Sequence, residues 1–179
     1  MARRLFAAVG MLTVAACAGA VNTMDESGRN QVAQAVDERM RSFEAAERAL
    51  DVDKMLEHFA NVSDFYMFND DQRLTYETMA TGVRNAFPTL RAIEGGFIDP
   101  HTTILASDAA LVTATFRETV TDRRGQATAQ HGVATWLWRN VGGNWRIVYG
   151  HVPLSWGISE VALPDCASLL GVAFLSESS

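Results

Sequence analysis

The chain has 179 residues, 48% of them hydrophobic and 20% charged, with a formal net charge of −6. That is enough apolar material for one globular domain with its own core. The acidic balance argues against nucleic acid and anionic lipid surfaces as partners.

The opening, MARRLFAAVGMLTVAAC, sets Arg3 and Arg4 before an apolar run at 5–16 and ends on Cys17. This is the layout of a secretory leader, too short to span a bilayer. VAAC at 14–17 resembles the lipobox of bacterial lipoproteins, which implies a signal peptide over 1–16 and a diacylglyceryl group on the Cys17 thiol. Two acyl chains anchor stably where one does not. The expected location is the cell envelope, on the periplasmic side; ordinary cleavage after AGA at 18–20 would instead give a soluble periplasmic or secreted protein. Once Cys17 is lipidated Cys166 is the only thiol left, so no intramolecular disulfide can form.

A small, polar stretch up to Arg29 suits a tether over 17–29. Val32, Val36, Met40, Phe43, Ala46 and Leu50 then recur at threes and fours, predicting a helix over about 27–50. Asp51 or Asp53 can cap a short second helix carrying Val52, Met55, Leu56 and Phe59. VSDFYMF at 62–68 reads as a strand, NDD as a turn, and 74–76 as a short returning strand. Met79, Val83, Phe87 and Leu90 give a third helical stripe ending near PTL, with Gly95 and Gly96 beyond.

The period then changes. FIDPHTTIL, ALVTATFRETV, ATAQHGVATWLWR and WRIVYGHVPLS are four strand candidates separated by SDA, DRRG and VGGN. Helix, helix, strand, strand, helix and four strands make an α+β pattern, with helices on one face of a mainly antiparallel sheet.

That order, with GNWRIVYGHVPLS at its end, resembles the nuclear-transport-factor-2-like superfamily, in particular its SnoaL-like members. The resemblance implies a cone-shaped domain over 30–156, a curved sheet wrapped around three helices with a pocket at the open end, and commonly a homodimer through the sheet. Relatives often follow this histidine closely with a serine, whereas here Pro153 intervenes before Ser155. An apolar tail at 157–179 follows, too short in its apolar run to cross a membrane.

Turn chemistry predicts which side chains share a face. Gly142 and Gly143 suit a two-residue hairpin turn, which pairs Trp138 with Ile147, Trp136 with Tyr149 and Ala134 with His151. Gly125 suits the left-handed position of a three-residue loop, which sets Glu118 opposite Gln130, Phe116 opposite Gly132 and Ala114 opposite Ala134. The shared face is the expected concave one, with His151 beside a hollow left by Ala114, Gly132 and Ala134. Val133, Leu137, Val148 and Val152 fall on the convex face, where a second subunit or the chain's own end would cover them.

The expected pocket is lined by Tyr66, Phe116, Gln130, Trp136, Trp138, Tyr149 and His151, and suits a small, partly apolar molecule. A histidine beside a carboxylate can act as a general base, which makes His151 and Glu118 the catalytic candidates. The family's ketosteroid isomerisation needs a carboxylate base, a tyrosine and a protonated aspartate. The resemblance lays those roles on Met67 or Phe68, Phe43 and Ala134, none of which can fill them. No cofactor motif is present and no metal site is expected: His58 lies on a helix, His101 follows Pro100, and His131 belongs to the face opposite His151. The reading is thus an exported small-molecule-binding domain. The alternatives are an acid–base enzyme (isomerase, dehydratase or hydrolase) using His151 with Glu118, and a non-catalytic dimeric envelope interaction module.

Overall fold

A computed structural model describes residues 24–153. The leader, Cys17, Cys166 and the C-terminal tail lie outside the described residues.

Helix α1, Glu26–Arg48, starts at Asp25, whose Oδ1 accepts the Gly28 N–H at 2.8 Å. That carboxylate satisfies one of the amides a helix N-terminus leaves orphaned. Glu26 to Arg29, drawn into the tether above, are therefore helical. The predicted stripe is buried at Val32, Val36, Met40, Phe43 and Ala46, but Glu47 is buried with it. Burying Phe43 alone contributes roughly 2–3 kcal/mol. Leu50 turns out of the helix at φ 53°.

Asp51 caps α2, Val52–Leu56, by accepting the Lys54 N–H at 3.1 Å. Strands β1, Tyr66–Asn69, and β2, Gln72–Leu74, form a hairpin, and Thr75 caps α3, Tyr76–Ala86. The third helix ends earlier than its stripe suggests: Phe87–Thr89 is a 3-10 turn, since Pro88 cannot donate to an α-helical ladder. Leu90 already opens β3, Leu90–Ala106, so Gly95 and Gly96 sit inside a strand and not beyond a helix.

β4 is Ala109–Asp122, β5 Ala127–Val141 and β6 Asn144–His151. The strands order as β2-β1-β6-β5-β4-β3, antiparallel throughout except where β1 runs parallel to β6. Helix α1 packs on β3, β4 and β6, and the three helices cover one face of this mixed, curved sheet. The fold is the expected α+β cone.

The β4–β5 register is the one turn chemistry predicts, with Glu118 opposite Gln130, Phe116 opposite Gly132 and Ala114 opposite Ala134. Gly125 takes φ 87°, supplying the left-handed position of the loop. The β5–β6 hairpin also starts as predicted, with Trp138 opposite Ile147. Beyond that pair the register shifts: Leu137 faces Tyr149, Trp136 faces Gly150 and Thr135 faces His151. Val148 is the extra residue of a β-bulge, and one extra residue exchanges the faces of everything after it.

Candidate functional site

The bulge relocates the expected pocket. Gly150 and Val152 take the inner face, while Tyr149 is half-buried and His151 exposed on the outer one. His151 therefore does not meet Glu118, which is buried on the inner side of β4. Val152, expected outside, lines the interior, and His131 shares the outer face with His151 instead of opposing it. The hollow beside Gly132 is also filled. A Cβ there would lie 2.9 Å from Phe116 Cε1 and 2.9 Å from Pro153 Cγ, so those two side chains occupy the space a larger residue would need.

The cone instead encloses a chamber of about 30 Å³ lined by Phe43, Glu47, Met55, Met67, Phe97, Phe116, Glu118, Trp136 and Val152. Its walls are aromatic. Phe97 meets Trp136 edge-on at 4.8 Å, Phe43 stacks on Phe97 at 6.0 Å, and Phe43 meets Trp136 edge-on at 6.1 Å. Gly150 permits this packing, because a Cβ there would already touch Trp136 Cδ1 at 3.3 Å. Of the predicted lining, Phe116 and Trp136 are in place, and Glu118 joins them as the chamber's acid. Trp138 is fully buried beside the chamber, with its ring edge-on to His58 at 6.5 Å. Gln130 is buried opposite Glu118, its Oε1 without a hydrogen-bond partner among the described residues. Tyr66 pairs with Tyr149 on the outer face, ring centroids 5.1 Å apart.

Two carboxyl groups at one apolar cavity shape its electrostatics. Burial pushes Glu118 up to about 7, with Glu44 adding repulsion and Arg48 opposing it. Burial also lifts Glu47 well above the usual carboxylate range, reinforced by Glu118 and Glu44 and opposed by Arg48. Both carboxyls are thus pushed towards the protonated form, Glu118 to about 7, and as close neighbours they share their titration near neutral pH. A protonated carboxyl and one poised to give or take a proton are the parts of an acid–base site.

Glu44 and Arg48 tie down the backbone beside that pair. Glu44 Oε1 accepts the Phe97 N–H at 3.1 Å, and Arg48 donates to the Gly95 carbonyl at 3.2 Å while pairing with Glu44 at 3.1 Å. These contacts strap α1 to β3 where Gly95 faces Glu118. Sequence reasoning missed Glu47. Its signal was present: Glu47 continues the spacing of Val36, Met40 and Phe43, so it lies on the apolar stripe itself.

A family model described as a SnoaL-like domain matches residues 36–155. Among solved structures, a nuclear transport factor 2-like superfamily protein from Salmonella enterica is similar, with TM-score 0.62 and 17% identity over 74% of this chain and 98% of that one. A candidate dehydratase of the same superfamily from Streptomyces avermitilis has TM-score 0.60 and 17% identity over 68% of this chain and 95% of that one. The association domain of CaMKII from C. elegans has TM-score 0.55 and 17% identity over 71% of this chain and 98% of that one. No curated protein sequence matches the chain.

Proposed function

The chain belongs to the SnoaL-like domain family, and from that premise we propose that it binds a small, partly apolar molecule in the inner chamber and exchanges a proton with it through Glu118. The observation that carries this reading is the meeting of Glu118 and Glu47 at one aromatic cavity, with Glu118 raised to about 7. A ligand larger than water must widen a chamber of about 30 Å³. Met55 and Met67 suit that, because unbranched thioethers repack more readily than branched or aromatic neighbours. The proton-transfer class includes isomerisation and dehydration, and the similar Streptomyces avermitilis protein is named as a candidate for the latter. Glu118 replaces His151 as the proposed acid–base group, with Glu47 as its charge partner.

The test is a screen of small aromatic and alicyclic compounds by nuclear magnetic resonance, on the wild-type chain and on Val152→Phe, which fills the chamber. Ligands that shift the Trp136 indole in the wild type and not in Val152→Phe support the reading. Ligands indifferent to Val152→Phe, or none at all, contradict it.

Two further parts of the reading rest on other features. Ile98 and Val133, 41% and 54% exposed, stand in line across β3, β4 and β5 through Thr115, and support a homodimer through that part of the sheet. Val133→Asp is then expected to give a monomer by sedimentation. The VAAC motif supports export and lipidation at Cys17, checked by the intact mass of the membrane-extracted protein; an unmodified chain beginning at Val21 contradicts it.

A further inference from the structure

The bulge that removes His151 from the interior builds something outside. Val148 and Tyr149, the two residues at the bulge, both line an outer groove of about 540 Å³. This volume lies within the range of small-molecule sites. Leu137 and Val148 contribute apolar surface, and Tyr66 and Tyr149 bring two rings together at 5.1 Å.

The charges around the groove are unequal in their availability. Arg139 lines it but is committed to Asp108, N to O 2.6 Å, which neutralises it locally. Asp64 lines it too, is exposed, and accepts only from the Ser63 hydroxyl at 3.3 Å, with no cation in ion-pair range among the described residues. The Tyr66 ring already carries one cation, the Arg73 guanidinium 4.7 Å from its centroid, so this ring accepts positive charge. Aromatic faces beside an uncompensated carboxylate attract a cation whose body is apolar.

We propose that this outer groove is a second binding site, for a small organic cation held by the Tyr66 and Tyr149 rings and the Asp64 carboxylate. It is independent of the chamber and of the chemistry assigned to Glu118. The proposal is tested by titrating the full chain with choline and with 3,3-dimethylbutan-1-ol, its neutral isostere, while following the ring signals of Tyr66 and Tyr149. Choline is expected to shift both rings saturably, and the alcohol to bind about three-fold or more weakly. Asp64→Asn, a surface change, should weaken choline and leave the alcohol unchanged, and Tyr149→Leu should abolish the preference. Equal binding of the two compounds, or no response to either, overturns the proposal. So does a dimer seen by sedimentation that buries both rings and that choline fails to compete.

Discussion

Glu47 of α1 and Glu118 of β4, far apart in the chain, line one buried chamber, and each is only 5% exposed. Their proximity in an apolar setting makes the chamber sensitive to pH. Because the folded-state value of Glu118 is raised from 4.5 to about 7, the folded protein binds more protons than the unfolded chain between those values. Its contribution to stability is complete below pH 4.5 and is lost as pH rises through 7. Glu118→Gln should therefore be stabilised relative to wild type at pH 8, and its advantage should shrink towards pH 5 by on the order of 2 kcal/mol, read from urea denaturation.

His151 makes a contrasting prediction. It is exposed on the outer face opposite Thr135, so His151→Ala should change stability by no more than about 0.5 kcal/mol and leave chamber binding intact. A loss of binding equal to that of Glu118→Gln would restore it to the site.

These two residues show what the sequence disclosed. Helix stripes, caps and glycine turns are local, so the α+β order, the Asp51 cap and the whole β4–β5 register were readable in advance. The bulge at Val148 was not: Gly150 is compatible with one but does not place it, and the shifted register is the one that sets Gly150 beneath Trp136 and Tyr149 against Tyr66. One residue of slip moved His151 and Tyr149 outside and brought Val152 in. Glu47 was visible as a charge on an apolar stripe, but only the fold supplies its partner Glu118.

Gly95 carries the backbone side of the site. Its φ is 102°, and a Cβ would fall 2.2 Å from the Arg117 carbonyl oxygen, so nothing but glycine fits opposite Glu118. Gly95→Ala should cost more than about 3 kcal/mol, whereas Gly125→Ala, also at positive φ but in open space, should cost about 1 kcal/mol. Thermal denaturation of the two variants makes the comparison.

His58 opposes Glu118 below neutral pH. Its Nδ1 lies 2.8 Å from the Lys54 carbonyl, which places the proton there and leaves Nε2 as a buried acceptor without a partner among the described residues. Burial and Arg39 push its pKa down, against hydrogen bonds to the Lys54 and Met55 backbone. The stability it contributes is present above 6.5 and is lost as pH falls below it. His58→Leu should remove this opposing contribution, so that between pH 6.5 and pH 5 stability rises more steeply, or falls less, than in the wild type as pH drops.

The proposed chemistry requires Glu118 to change charge near neutral pH inside the chamber. Its most direct test is a carbon-13 titration of the glutamate side-chain carboxyls, with the Glu118 resonance identified by its absence in Glu118→Gln. A midpoint near 7, with the Trp136 indole shifting in step, is the predicted result. A midpoint at the ordinary 4.5 would mean that the chamber leaves Glu118 an ordinary carboxylate, unable to serve as the acid–base group.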